Sequence, residues 1–319
     1  MNPGKIAVIV PCYRVSGTIE EVISILPNMI DHIIVIDDAC PDNSGRFVEG
    51  LGYDKVDVIY HKRNQGVGGA VMTGYLKAME LGCDIVVKMD GDGQMDPAYL
   101  CDLIEPLKKN EADYTKGNRF VDFKMLRTMP KVRLLGNNIL SFFEKVFSGY
   151  WHIMDPTNGY TAIHRNILEK LDLSKIARGY FFESHMLLHL NLINAVVKDV
   201  PIPARYGTEN SSLNICKTLI SFPPRLILGL FKRIFLKYFI YDFNMASVYL
   251  VLGIPLFLWG IGFGLYHWLD SAFSGNPKTA GTIMVAALPL ILSVEMLLQA
   301  VNIDIQNTPR RTKRKNVYD

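Results

Sequence analysis

The sequence predicts an α/β domain on a mostly parallel sheet, followed by an amphipathic segment and a two-helix membrane hairpin. Three observations carry this. Strand and helix signals alternate through residues 5–115, polar residues gather just past the ends of the apolar runs, and two long stretches near the C-terminal end are almost free of charge.

The elements follow in order. Ile6–Val10 is a continuous apolar run of the kind a strand buried on both faces requires, and Ser16–Leu26 carries a helical pattern. His32–Ile36 and Val56–Tyr60 read as the second and third strands, Gly68–Leu81 as a helix, and Asp84–Met89 as a fourth strand running into Asp90. Such alternation gives parallel strands with right-handed crossovers, whose ligand site lies at the carboxyl ends of the strands. The residues at those ends are Pro11-Cys12-Tyr13-Arg14, Asp37-Asp38, Arg63-Asn64-Gln65-Gly66-Val67-Gly68-Gly69-Ala70 and Asp90-Gly91-Asp92-Gly93-Gln94.

Four carboxylates at one crevice are costly unless a cation or hydrogen-bond donors offset them. Mg²⁺ or Mn²⁺ does so naturally, taking one or two carboxylates and completing its shell with water and phosphate oxygens, so Asp90, Asp92 and Gln94 are the candidate metal ligands. No Gly-Lys-Ser/Thr follows the glycines, and Gly-x-Gly-x-x-Gly is missing from the first turn. P-loop ATPase and dehydrogenase readings therefore lose their support.

The 319 residues carry 34 Lys+Arg against 31 Asp+Glu, with 49% hydrophobic residues. The charge is unevenly spread: residues 216–319 hold 11 Lys/Arg against 5 Asp/Glu, leaving 23 against 26 in residues 1–215. A basic surface concentrated at the hydrophobic end favours membrane lipid over nucleic acid as its partner. Cys12, Cys40, Cys83, Cys101 and Cys216 are scattered without a Cys-x-x-Cys pair, the pattern of reduced thiols in a cytoplasmic domain. The first residues enter a strand without a signal-peptide pattern, so the globular part is expected in the cytoplasm.

Met245–Leu269 contains no Asp, Glu, Lys or Arg, and Gly281–Ile303 contains only Glu295; each exceeds the roughly 20 residues needed to span a bilayer. Arg310, Arg311, Lys313, Arg314 and Lys315 follow the second stretch, whereas the loop Asp270–Ala280 has one lysine. The positive-inside rule puts the tail, and with it the globular domain, on the cytoplasmic side. Gly260 and Gly264 form a small-xxx-small pair suited to packing the two helices or a second protomer, so a homo-oligomer is possible. Position alone gives Glu295 no role. Pro224–Tyr241 reads as an amphipathic helix in the headgroup plane, with Ile227, Phe231, Ile234, Phe235 and Tyr238 on one half and Arg225, Lys232, Arg233 and Lys237 on the other. The expected segments are a globular domain 1–215, an interface segment 216–244, a hairpin 245–303 and a basic tail 304–319.

The ordered set Pro-x-Tyr, Asp-Asp, Asn-x-Gly-x-Gly-x-Ala and Asp-Gly-Asp-Gly-Gln resembles glycosyltransferase family two, with its GT-A nucleotide-sugar fold. Gly117-Asn118-Arg119, Asp155-Pro156-Thr157-Asn158-Gly159-Tyr160, Phe182-Glu183 and Val200-Pro201-Ile202 resemble its polyprenyl-phosphate branch. The resemblance implies that Pro11, Tyr13, Asp37 and Asp38 line the base and ribose of a UDP- or GDP-linked sugar. Asp90, Asp92 and Gln94 then face its diphosphate through the metal, with Arg63, Gly66 and Arg205 as further donor contacts. Arg119 and Arg133 match the family's acceptor-phosphate arginines, and Asp155 sits where the family places a carboxylate near the reacting centre. The implied reaction is inverting transfer of one sugar to a membrane polyprenyl phosphate, whose second ionisation near pH 6 makes it a nucleophile without a strong base. Two departures stand out: Arg14-Val15 replaces a frequent Asn-Glu, and the Gln-x-x-Arg-Trp signature of processive synthases is absent. Transfer to a non-lipid glycan or protein, and a scaffold that keeps the fold without turnover, are the competing expectations.

Overall fold

The computed structural model describes residues 4–121, 131–203 and 215–311. The chain divides into two compact units, Met1–Leu230 with Pro309–Asp319, and Phe231–Thr308.

The first unit is an α/β domain on a seven-stranded sheet. Its strands are β1 (Ile6–Cys12), β2 (His32–Asp37), β3 (Val56–Tyr60), β4 (Ile85–Lys88), β5 (Tyr114–Asn118), β6 (Thr161–His164) and β7 (Val197–Pro201), in the order β3-β2-β1-β4-β6-β5-β7. The helices between them are α1 (Ile19–Ser24), α2 (Ser44–Gly50), α3 (Val67–Glu80), α4 (Leu100–Lys108), α5 (Lys131–Ser148), the single turn α6 (Arg165–Leu168) and α7 (Phe182–Leu192). The expected first helix is shortened to α1 because the chain turns through residues 15–18 before the helix begins.

Alternate residues of β1 enter different cores, which is why it reads as an unbroken apolar run. Ala7 and Ile9 pack with Ala70, Val71 and Tyr75 of α3 and Met186 of α7, whereas Val8 and Val10 pack with Ile19 of α1 and Leu103 of α4.

β1 to β4 are mutually parallel, and β7 runs parallel to β5. Only β6 is reversed among the described strands, pairing antiparallel with both β4 and β5. The reversal has a positional consequence. Thr161 lies opposite Lys88 and also opposite Lys116, so the chain entering β6 arrives at the carboxyl ends of β4 and β5. Residues Asp155–Tyr160 are thereby delivered to the edge where Asp90 and Arg119 emerge.

A long helix, α8 (Ile215–Phe235), carries Pro223 and Pro224 inside it and continues as a π-helical turn, Leu236–Tyr241. Within the first unit, Leu226 packs with Phe147, Phe181 and Leu188.

The second unit contains α9 (Met245–Ser274) and α10 (Ala280–Gln306), both long and apolar enough to cross a membrane. At 1.5 Å per residue, 30 and 27 residues extend about 45 and 40 Å, more than a hydrocarbon core of roughly 30 Å. Asn244 caps α9 through a capping box with Ser247, so the helix begins at the end of the polar segment. α10 runs three residues past Ile303. Gly260 packs within the hairpin, where an added Cβ would meet Leu290 and the Ala286 carbonyl, and Gly264 faces Ala286. Glu295 is exposed and accepts from Gln299 Nε2 at 3.0 Å.

One expectation needs correcting. The pattern placed Arg233 and Lys237 on a headgroup-facing half, but both are buried. Arg233 bonds Asp304 through both guanidinium ends, at 2.8 and 2.9 Å, and Tyr238 donates to the same carboxylate at 2.6 Å. Asp304 is distant in sequence, and its charge turns this side of the helix inward; Arg225, Lys232, Ile227, Phe231 and Phe235 remain exposed.

Candidate functional site

The carboxyl edge of the sheet gathers most of the residues singled out from the sequence. At the end of β1, Pro11 is half-buried and Tyr13 exposed, and Arg14 lies over the Tyr13 ring at 5.4 Å. Asp37 closes β2 and is buried, with one carboxylate oxygen accepting from Cys40 N at 2.7 Å and the other from Gly45 N at 2.9 Å. Asp38 is buried beside it. One oxygen lies 2.7 Å from His61 Nδ1 and 2.8 Å from Gln65 N, while the other accepts from Gly66 N at 2.8 Å.

Asp38 thus fastens the loop after β3, and His61, which the sequence reading passed over, completes the brace through Thr73 at 2.9 Å. Gly66 sits at φ +82°, in the region glycine favours, and a side chain there would strike the Arg178 carbonyl. The glycine cluster is therefore a packing device that seats α3 against residues 176–182. Arg63 is exposed on the same loop.

Past β4, Asp90 is 30% exposed at its side chain, and its Oδ1 lies 2.9 Å from the ammonium of fully buried Lys88. Lys88 also reaches Glu183 Oε1 at 3.3 Å. Burial opposes its charge, yet the two carboxylates raise its pKa above the ordinary lysine value. Asp92 is half-buried and accepts from Gln94 N at 3.0 Å, and the Gln94 side chain is exposed.

Past β5, Arg119 forms a fork with Asp155: Nε donates to one oxygen at 2.7 Å and Nη2 to the other at 3.0 Å. Asp155 is fully buried while the Arg119 side chain is 41% exposed, so a hidden carboxylate holds a side chain that reaches the surface. Arg133 lies in the first turn of α5, and its side chain is outside the described residues, as is the whole of Arg205.

Beneath the edge lies a charged layer that local pattern did not reveal. Burial lowers Lys116 to about 8 despite Glu183 and Asp155, and its ammonium donates to the Asn158 carbonyl. Burial pushes Glu144 up to about 7 and Asp199 up to about 6. Asp199 in turn holds Asn118 Nδ2 at 3.0 Å and Met154 N at 2.8 Å, bracing both sides of the Arg119–Asp155 pair. Cys12, Cys40, Cys83 and Cys101 are free thiols.

The donor chemistry fits a hard divalent cation. Asp90 and Asp92 supply carboxylate oxygens at a partly open edge, and among the described residues no three His, Cys, Asp or Glu groups form an all-protein cage. A cation at this edge needs oxygens from a second molecule to complete its shell, as Mg²⁺ and Mn²⁺ ordinarily take from phosphates.

Residues 7–172 match the family described as Glycosyl transferase family 2. A UDP-N-acetylglucosamine–dolichyl-phosphate N-acetylglucosaminyltransferase from Methanococcus voltae is 32% identical over 232 residues, covering 68% of this chain and 92% of that protein. A polyprenol monophosphomannose synthase from Mycolicibacterium smegmatis is 31% identical over 175 residues, covering 54% of this chain and 65% of that one. In structure, the chain resembles glucosyl-3-phosphoglycerate synthase from Mycobacterium tuberculosis in complex with UDP, with a TM-score of 0.54 at 19% identity over 72% of this chain and 80% of that one. A second structure of that enzyme, with Mn²⁺, UDP and phosphoglyceric acid, gives a TM-score of 0.51 at 18% identity over 72% and 78%. At such identities the structural likeness shows the fold alone, which is GT-A. The family match spans half the chain and the sequence relatives extend it further: this protein belongs to glycosyl transferase family 2.

Proposed function

We propose that this protein transfers a single sugar from a nucleotide-diphosphate sugar to the phosphate of a membrane polyprenol, inverting the anomeric carbon. The product is a polyprenyl-phosphate-linked sugar for cell-surface glycan modification. The observation that carries the proposal is the Arg119–Asp155 fork: an arginine held by a buried carboxylate, with 41% of its side chain exposed, is preorganised for a phosphate dianion. The matched relatives are named for dolichyl-phosphate and polyprenol-phosphate transfer, and two apolar helices keep the chain where such an acceptor resides.

On the donor side, Pro11 and Tyr13 line the base and ribose, and Asp37 and Asp38 shape that wall through the loops they brace. Arg63, Gly66 and Arg205 flank the diphosphate. Asp90 and Asp92, with Gln94 beside them, hold Mg²⁺ or Mn²⁺. When bound, the cation neutralises charge growing on the departing nucleoside diphosphate. Arg119 and Arg133 orient the acceptor phosphate, and buried Asp155 keeps Arg119 in register. The acceptor is already ionised near neutral pH, so this role asks for positioning and not for proton removal. The catalytic unit and the basic tail lie on the cytoplasmic side of the two spans.

The test is a panel of UDP- and GDP-sugars offered to the purified full chain with polyprenyl phosphate, a soluble glycan and a peptide, with products identified by mass spectrometry. A sugar-phosphate-polyprenol product formed only with Mg²⁺ or Mn²⁺ is expected. Transfer to the glycan or peptide alone would refute the acceptor assignment.

A further inference from the structure

The proposed cation site has an unusual neighbour in its floor. Lys88, the last residue of β4, is 1% exposed, and its ammonium lies 2.9 Å from Asp90 Oδ1 and 3.3 Å from Glu183 Oε1. Gly159 closes over it so tightly that an added Cβ would collide with the ammonium and come within 3.0 Å of Asp90 Oδ2. The Gly159 segment is in turn pinned from below by Lys116, which donates to the Asn158 carbonyl. Asp90 therefore has one oxygen occupied by a buried internal cation, while its other oxygen belongs to a side chain that remains 30% exposed.

This arrangement bears on which metal the site accepts. Ca²⁺ readily takes both oxygens of a carboxylate and tolerates irregular shells, whereas Mg²⁺ holds near-ideal octahedral geometry with single oxygens at about 2.0–2.1 Å, a pattern Mn²⁺ can share. Building on the proposed role of Asp90 as a metal ligand, we infer that Lys88 is a positioning residue that restricts Asp90 to one-oxygen ligation and so selects Mg²⁺ or Mn²⁺ against Ca²⁺. Glu183 is the counter-charge that lets Lys88 stay buried. Its own contact is with Lys88 and not with the cation.

The experiment uses the full chain in detergent, with UDP and GDP as nucleotide probes, and reads Mn²⁺ occupancy by electron paramagnetic resonance while Ca²⁺ is titrated in. It compares the native chain with Glu183→Gln, Lys88→Met and the paired Lys88→Met/Glu183→Gln. Lys88→Met alone strands a buried carboxylate and is expected to melt lower; the paired variant removes both charges and is expected to keep its fold. The native chain and Glu183→Gln should hold Mn²⁺ against a roughly 100-fold excess of Ca²⁺, and the paired variant should shift toward Ca²⁺ by about tenfold or more, because Asp90 can then ligate with both oxygens. An unchanged ratio in the folded paired variant overturns the inference and leaves the metal assignment standing. A native chain that exchanges Mn²⁺ for Ca²⁺ one for one overturns it without any variant, and a native chain that binds no Mn²⁺ with either nucleotide overturns the metal assignment as well.

Discussion

Replacing Glu144 with Gln is expected to stabilise the catalytic domain at pH 8 and to leave it nearly unchanged at pH 4.5. Glu144 is fully buried in α5, with Oε1 accepting from Ser184 Oγ at 2.7 Å and Oε2 lacking a hydrogen-bond partner among the described residues. Burial pushes its carboxyl from 4.5 to about 7, the Ser184 bond and Lys116 opposing the shift only in part. An acid raised in the folded state keeps a proton that the unfolded chain has released, so stability falls as pH climbs from 4.5 to 7 and is flat above. At 1.36 kcal/mol per unit, the ceiling of that loss is about 3 kcal/mol. The Gln amide is uncharged at both pH values, so its own desolvation cost cancels between them. A gain of about 2–3 kcal/mol at pH 8 corresponds to a melting rise of roughly 4–12 °C for a domain of this size. Calorimetric melting of both proteins in the same detergent checks it, and Asp199, which titrates in the same direction, drops out of the difference. A melting difference that is equal at pH 4.5 and pH 8, or that turns against the variant as pH rises, would refute the reasoning.

Three further outcomes follow from the same structure. Asp92→Ala is expected to abolish Mn²⁺-dependent nucleotide binding by calorimetry with little change in melting, because Asp92 is half-buried at the edge and outside both cores; full activity in the variant, or native activity in excess EDTA, would sink the metal assignment. Arg119→Ala should raise the KM for polyprenyl phosphate about 10- to 100-fold, the loss of one charge-assisted contact at 1.5–3 kcal/mol, while donor affinity stays within twofold; a collapse of donor binding with unchanged acceptor kinetics would reverse the two sides of the site. Asp304→Asn should lower the melting temperature by stranding buried Arg233, and adding Arg233→Met should restore most of it. Equal melting of Asp304→Asn and the native chain would show that the buried pair contributes nothing.

The legible parts of the fold share one physical property. Ile6–Val10, His32–Ile36 and the run into Asp90 are strands buried on both faces, and burial on both faces requires an uninterrupted apolar string. β5 and β7 lack that string because Lys116, Asn118 and Asp199 point into a layer where polar groups satisfy one another. A lysine bonded to a carbonyl 42 residues away has the same local sequence as one in water. Arg233 and Lys237 were misassigned for the same reason, since helical period shows that they share a face and says nothing of Asp304. Of the site, Asp37, Asp38, Asp90 and Asp92 were legible as polar residues at strand ends, whereas Arg119 and Asp155 were legible only through the motifs that resemble the family. Lys88 was not legible, because it lies within a strand and acts through its contact with Asp90.

The reversal of β6 explains why the two halves of the site are far apart in sequence. In a wholly parallel sheet, each strand brings only the residues that follow it to the carboxyl edge, and a crevice built from β1 to β4 offers the loops ending at Asp90. A strand running the other way brings the residues that precede it. β6 places Asp155–Tyr160 over the ends of β4 and β5, where Asp155 grips Arg119 and Gly159 closes over Lys88. One loop thereby touches the residue proposed for the acceptor phosphate and the residue that fixes the proposed metal ligand. Its six residues are constrained from both sides: a side chain at Gly159 displaces the Lys88 ammonium, and a neutral residue at Asp155 removes the charged partner of the Arg119 fork. The spacing between Asp155 and Gly159 thus sets the distance between the proposed acceptor and metal sides of the site, and a one-residue insertion within it is expected to raise the KM for polyprenyl phosphate at least tenfold while donor affinity by calorimetry changes far less; equal losses on both sides would refute this role.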